Sequence, residues 1–499
     1  MFYVARWLVL LLLLAGTAAA QPATHARPTP QPAPHTATEP AAFPAEVTTH
    51  HTLQLAGRTL HFTATAGTIR LTNDEGEPRA ELAVIAYQEE GAAPATRPVT
   101  FFFNGGPGMA SGWLQVGAVG PWRIALNDDA GIPSASAVPL PNADTWLDFT
   151  DLVFIDPPGT GYSRIVSTDK DTRRQYFSVA GDINALAEAV RRWLDHNDRN
   201  VSPKYIVGES YGGFRAPRLV RVLQSEQGVG VSGVVMISPL LDAHRESVGY
   251  DPFAWVDRLP SQVAAARALK GPVTRASVAD AERYAATDYI TDLLQGEHDP
   301  AAIARVSARV ATLTGLDPAL VQRFHGRLDA DVFLHELERA QGKVGSVYDP
   351  TITRGDPFPH QAYSYFPDPV LEGFKAPIAS AMMAIYSGKL HWRPDAVYEL
   401  ANDAAFNQWD WGHGMGRPES VTAMQAALSL DPHLHILIAH GLFDLRTPYF
   451  ATALILRALP EVAPPGRVRL VVYPGGHMFY SQDASSHALH EDARALYAQ

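Results

Sequence analysis

The sequence predicts an α/β protein, and three patterns predict it. Short apolar runs recur along the chain: "VTFFF" (99–103), "DLVFID" (151–156), "KYIVG" (204–208), "GVVMIS" (233–238), "LHILIA" (434–439) and "VRLVVYP" (468–474). Apolarity that continuous suits strands covered on both faces, as in a parallel sheet. Between two of these runs, Ile183, Leu186, Val190, Trp193 and Leu194 fall at helical spacing. Ahead of them all, "TLQLAGRTLHFTATAGTIRL" and "ELAVIAYQ" alternate in polarity and read as an antiparallel meander with glycine turns. Strand and helix then alternate, which defines the class.

Each part of the chain follows in order. Residues 1–20 place Arg6 before the apolar run "LVLLLLLAG" and end in Ala18-Ala19-Ala20, the order of a secretory signal peptide. The run is shorter than the roughly 20 apolar residues a spanning helix needs, so no membrane anchor is expected after cleavage. The chain has no cysteine, so neither a lipidated cysteine nor disulfides enter its chemistry. Residues 21–47 are rich in Pro, Ala and Thr; they offer too little apolar surface to offset ordering and read as a linker. Residues 48–242 form the first part of the α/β core and residues 401–499 the second. Between them, residues 243–400 break the rhythm, with helical stretches and the proline-rich "YDPTITRGDPFPHQAYSYFPDP". A structureless connection that long is rare in a compact domain, so an inserted, largely helical cap subdomain is expected. It follows the fourth apolar run and so covers the carboxyl edge of the sheet, where ligands of open α/β sheets bind.

Composition limits the partners. At 499 residues the chain is long enough for a large domain with insertions or for two domains, and 46% apolar against 18% charged residues indicates a globular protein. A formal net charge of −12 argues against nucleic acid or an anionic membrane as partner.

The most informative stretch is "YIVGESYGGFRAPRLV" (205–220). Gly208-Glu209-Ser210-Tyr211-Gly212 joins a strand to a helix whose apolar face carries Phe214, Leu219, Val220 and Leu223. That is a nucleophile elbow, a turn so sharp that the serine's neighbours must be small. A serine needs a base, and the base needs an orienting group. In this order the acid precedes the histidine, each past a late strand. Asp444 follows "LHILIA" and His477 follows "VRLVVYP". His440 and His413 are rivals for the base; His440 ends its strand directly and reads as structural. "FFFNGGPG" (101–108) supplies oxyanion donors, with the backbone amides of Gly106 and Tyr211 as the pair. Together these segments predict a serine hydrolase that uses no metal and no cofactor.

"FFFNGGPG", "DLVFIDPPGTGYSR", "VGESYGG", "HGLFDLRTP" and "PGGHM" resemble the signature blocks of the serine carboxypeptidase family, in its bacterial branch. The similarity runs from about residue 48 to the C-terminus and is loose only in the insertion. The resemblance implies an α/β-hydrolase fold, a mostly parallel central sheet with a helical insertion. It also implies release of C-terminal amino acids from peptides at acid pH. By matching motif, Ser210, Asp444 and His477 are the triad, and Asn104, Gly105 and Glu209 hold the substrate's terminal carboxylate.

Two departures stand out. Met109-Ala110 occupies the place of a cysteine and serine in well-studied eukaryotic members, and Ala118 that of a second glutamate. The carboxylate clamp is therefore built differently; Arg123 is one substitute, although a surface position suits it better. The expected protein is an exported, periplasmic or secreted, serine carboxypeptidase acting on peptides. An esterase, acyltransferase or other peptidase on the same scaffold is the alternative.

Overall fold

A computed structural model describes residues 42–499 apart from 127–131, 136, 247–248, 362–366, 413–417, 461–463 and 465. The expected signal peptide, most of the linker and His413 therefore lie outside the described residues. A ten-stranded sheet runs through the described chain. Its strands are β1 (Val47–Leu55), β2 (Arg58–Thr72), β3 (Pro78–Glu89), β4 (Val99–Phe103), β5 (Asp151–Ile155), β6 (Arg164–Ile165), β7 (Lys204–Glu209), β8 (Gly233–Ile237), β9 (His435–Gly441) and β10 (Val468–Tyr473). The order is β1-β2-β3-β5-β4-β7-β8-β9-β10, with β6 paired to β3. The first three strands form an antiparallel meander, and from β5 to β10 every neighbouring pair is parallel.

Alternate side chains of the parallel strands enter two different cores. Phe102, Phe154, Val207 and Val235 face one, and Phe101, Phe103, Val153, Ile155 and Ile206 face the other. Both faces of β4, β5, β7 and β8 are dry, which is why these runs read as continuously apolar instead of alternating, whereas the edge strand β10 is partly exposed. The second face is covered by α1 (Val179–His196) and α2 (Tyr211–Glu226), whose Ile183, Leu186, Val190, Phe214 and Leu219 are buried. Ser178 starts α1 by accepting the Gly181 N–H, a side-chain cap.

The insertion contributes to two cores. Residues between Val256 and Leu334, including α3 (Pro300–Thr314), form a third cluster with Leu442, Phe443, Tyr449 and Phe450. Beyond it, α4 (Pro369–Ala384), Trp392, Tyr398 and Leu400 join the first core. Residues 42–499 make one compact unit, so the insertion does not separate as a body of its own. The linker also ends earlier than its composition suggested. Phe43 stacks on Trp392 at 5.7 Å, Trp392 Nε1 donates to the Pro44 carbonyl, and Val47 opens β1. One aromatic residue in a proline-rich stretch was enough to dock its end. Among the described residues, no helix is long and apolar enough to cross a membrane.

Candidate active site

Four strand ends supply the site. β7 ends in Glu209, and the next residue, Ser210, has φ 59° and ψ −120°. A non-glycine residue seldom adopts a positive φ; the surrounding packing imposes it. A Cβ built on Gly208 would lie 2.0 Å from the Gly212 carbonyl oxygen, so a side chain there would break the turn. Ser210 N–H donates to the Ile237 carbonyl at 2.9 Å, tying the turn to β8. Tyr211 is the first residue of α2, and its N–H stands outside the helix's own ladder.

After β4, Asn104, Gly105 and Gly106 lie across the elbow. A Cβ on Gly105 would meet the Tyr211 nitrogen at 2.4 Å, which shows how closely this loop approaches the start of α2. Asn104 is fixed at three points. Its Oδ1 accepts from Leu114 N–H at 3.0 Å, its Nδ2 donates to Glu209, and its carbonyl accepts from Arg215 at 2.8 Å. Arg215 in turn forms a buried pair with Asp182 at 2.7 Å.

Beyond β9 and β10, His477 Nδ1 lies 2.8 Å from Asp444 Oδ2. Asp444 is fully buried and accepts from the N–H groups of Arg446 and Thr447, and from the Thr447 hydroxyl, all within 2.9 Å. With a carboxylate as acceptor, the Nδ1 of His477 carries the proton and Nε2 is free to receive one. For His477, burial alone would lower the pKa. Asp444, by charge and hydrogen bond, and then the charge of Glu209 outweigh it, so the pKa is raised above its usual 6.5.

Glu209 is 3% exposed, and burial pushes its carboxyl up to about 7, against the opposing pull of His477 and the Tyr480 and Asn104 hydrogen bonds. Tyr480 OH donates to it, 2.9 Å from Oε1 and 3.0 Å from Oε2. Ser210, Glu209, His477, Asn104, Gly105 and Gly106 line one cavity of about 560 Å³. The insertion closes it with Arg258, Asp329, Asp331, Tyr348 and Leu371, and Met109, Trp113 and Phe406 give it an apolar wall.

The remaining residues singled out by motif lie elsewhere. His440 is buried, its Nε2 is 2.9 Å from Thr452 Oγ1, and burial holds its pKa down at about 4. Arg123 pairs with Asp483 at 2.9 Å and does not line the cavity. Ala118 is buried in the first core.

Sequence reasoning missed Thr447, Tyr480, Tyr348 and Asp349. Thr447 had a local signal, since an aspartate three residues before a threonine forms such turns. The others had none. Tyr348 stacks edge-on against His477 at 5.3 Å, and its carbonyl accepts the His477 N–H at 2.5 Å. Asp349 accepts from Gly476 N–H at 2.8 Å. A Cβ on Gly476 would lie 2.0 Å from the Tyr348 oxygen. Gly476→Ala is therefore expected to displace the neighbouring imidazole. Since an ångström of misplacement costs on the order of 10² in rate, kcat/KM on an activated ester should fall by about that factor. Unchanged kcat/KM in the variant would show that the loop relaxes without moving His477.

The serine carboxypeptidase family model matches residues 83–302, a span that holds β4, the elbow and the start of the insertion. This part of the chain is similar to the serine carboxypeptidase family. Serine carboxypeptidase-like 33 of Arabidopsis thaliana is 27% identical over 173 residues, covering 33% of this chain and 34% of the relative. The pheromone-processing carboxypeptidase KEX1 of Coprinopsis cinerea is 32% identical over 156 residues, covering 30% and 24%. The matched stretches thus span about a third or less of these relatives' length. Among solved structures, KEX1(delta)p, a prohormone-processing carboxypeptidase from Saccharomyces cerevisiae, is similar with a TM-score of 0.56 at 14% identity. That match covers 88% of this chain and 91% of that one, and it establishes the α/β-hydrolase fold along nearly the whole chain.

Proposed function

We propose that this protein is an exported serine carboxypeptidase that removes C-terminal amino acids from peptides, best at acid pH. The observation that carries the reading is a carboxyl group raised to about 7, buried beside Ser210 in the same cavity as His477. His477 Nε2 takes the Ser210 proton as the serine oxygen attacks the last peptide carbonyl. The oxyanion rests on the amides of Gly106 and Tyr211. His477 then gives its proton to the departing amino acid, and water, activated by the same base, releases the acyl group.

Glu209 supplies the exopeptidase selectivity. Below about 7 its carboxyl keeps a proton and donates it to the substrate's terminal carboxylate, alongside Asn104 and the backbone of Gly105. Above that value the two anions repel each other. Binding therefore weakens as pH rises. Export is supported by the basic, apolar and small-residue order of residues 1–20.

The test uses one blocked dipeptide in two forms. The free acid should be cleaved with a KM that rises above about pH 7, the value for Glu209. The C-terminal amide should show a higher KM with no such rise. Glu209→Gln, which cannot ionise, should flatten the free-acid profile. Equal KM profiles for acid and amide would instead favour an esterase or acyltransferase.

A further inference from the structure

Glu209 has an unusual neighbour for a carboxyl group that must hold a proton. Tyr480 is fully buried, and its hydroxyl is nearly equidistant from the two carboxyl oxygens, at 2.9 and 3.0 Å. It reaches Glu209 from the turn after His477, across the segment Gln115–Val119. Ala118 in that segment offers no carboxyl, and a Cβ on Gly117 would lie 3.1 Å from the Tyr480 ring. The remaining groups that face Glu209 are Asn104, which donates to Oε2, and the charges of His477 and Asp444, with Tyr348 further out.

We propose that Tyr480 is a positioning residue for Glu209, whose hydroxyl stabilises the ionised carboxylate and so sets the pH at which the site releases a peptide's terminal carboxylate. The inference rests on the carboxypeptidase reading of Glu209. The chemistry is one-sided. A phenol remains an O–H donor across the neutral range, and burial beside Glu209 raises the Tyr480 pKa well above its usual value. A donor favours the charged form of its acceptor. A second carboxyl at this place would do the reverse, because two carboxyls must share a proton and one is driven to higher pKa. With tyrosine as the partner, the pH limit lies lower than burial alone would place it.

The measurement is KM and kcat for a free-acid peptide from about pH 4 to 9, a range that spans ordinary glutamate and histidine values. In Tyr480→Phe the ring packing stays and only the donor is lost. The rise of KM should move up by about one pH unit, the scale of one lost hydrogen bond to a charge. The kcat profile, which follows His477, should move less. 3-Fluorotyrosine at position 480 is a stronger donor of nearly the same shape, and it should move the rise downward; it also serves if the phenylalanine variant folds poorly. A KM changed by the same factor at every pH in both variants would mean that Tyr480 only packs, and would overturn the proposal. A flat KM profile in the wild-type protein would overturn the reading of Glu209 itself, and the Tyr480 proposal with it.

Discussion

Ser210→Ala is expected to abolish turnover, with kcat falling by a factor on the order of 10⁶ and labelling by a fluorophosphonate probe lost. The argument starts from the backbone. A residue with φ 59° at the end of β7 is held there by the Ile237 hydrogen bond and by two glycines that admit no side chain. Alanine fits the same strained position as serine, so the fold should persist and the loss should be chemical. Far-ultraviolet circular dichroism and the melting temperature separate the two effects. Labelling that survives at another serine would remove Ser210 from the mechanism.

The second large effect is expected from Asp444→Asn. Asp444 Oδ1 accepts two backbone N–H groups, and only Oδ2 faces His477. An asparagine that keeps the backbone bonds must turn its Nδ2 toward the ring. Two donors then meet, so His477 Nδ1 has to give up its proton and Nε2 must carry it. A base with its proton on the wrong nitrogen cannot take one from Ser210, and kcat should fall by about 10⁴. The imidazole also loses the anion that raises its pKa, so the residual activity should extend to lower pH. The kcat profile against pH in wild type and variant checks both statements. Burial of a neutral amide costs less than burial of a carboxylate, so stability should hold.

Much of this was legible from local pattern alone. The parallel strands, α1 and the elbow follow from apolar periodicity and from glycines flanking a serine, and they appear within a residue or two of the expected places. The meeting of Asp444 and His477 was legible because strand ends of this sheet converge on one edge. What local pattern could not show is contact across long stretches of chain. Tyr480 reaches a carboxyl 271 residues away, and Asp349 holds a backbone amide 127 residues on. Neither leaves a periodic mark, since a single side chain in a loop or a one-turn helix has no spacing to read. The end of the linker was missed for the same reason. Phe43 gains its meaning from Trp392, which lies far along the chain in the segment read as a largely helical insertion.

The hold of Tyr348 and Asp349 on the histidine loop limits how this scaffold can diversify. In a modular enzyme a cap can be exchanged for another while the catalytic machinery stays as it was. Here the stretch 346–349 is at once part of the cap and part of the seat of His477: Ser346 is anchored by Asp368, and the next residues fasten Gly476 and His477. Transplanting a foreign cap would carry away the bearing on which the imidazole rests. The helices between Val256 and Leu334 meet the core through Leu442, Phe443, Tyr449 and Phe450 instead, and their Arg258, Asp329 and Asp331 line the cavity, so new specificities have room to arise there by drift or by library selection. The anchor segment and the loop that carries His477 are structurally one piece.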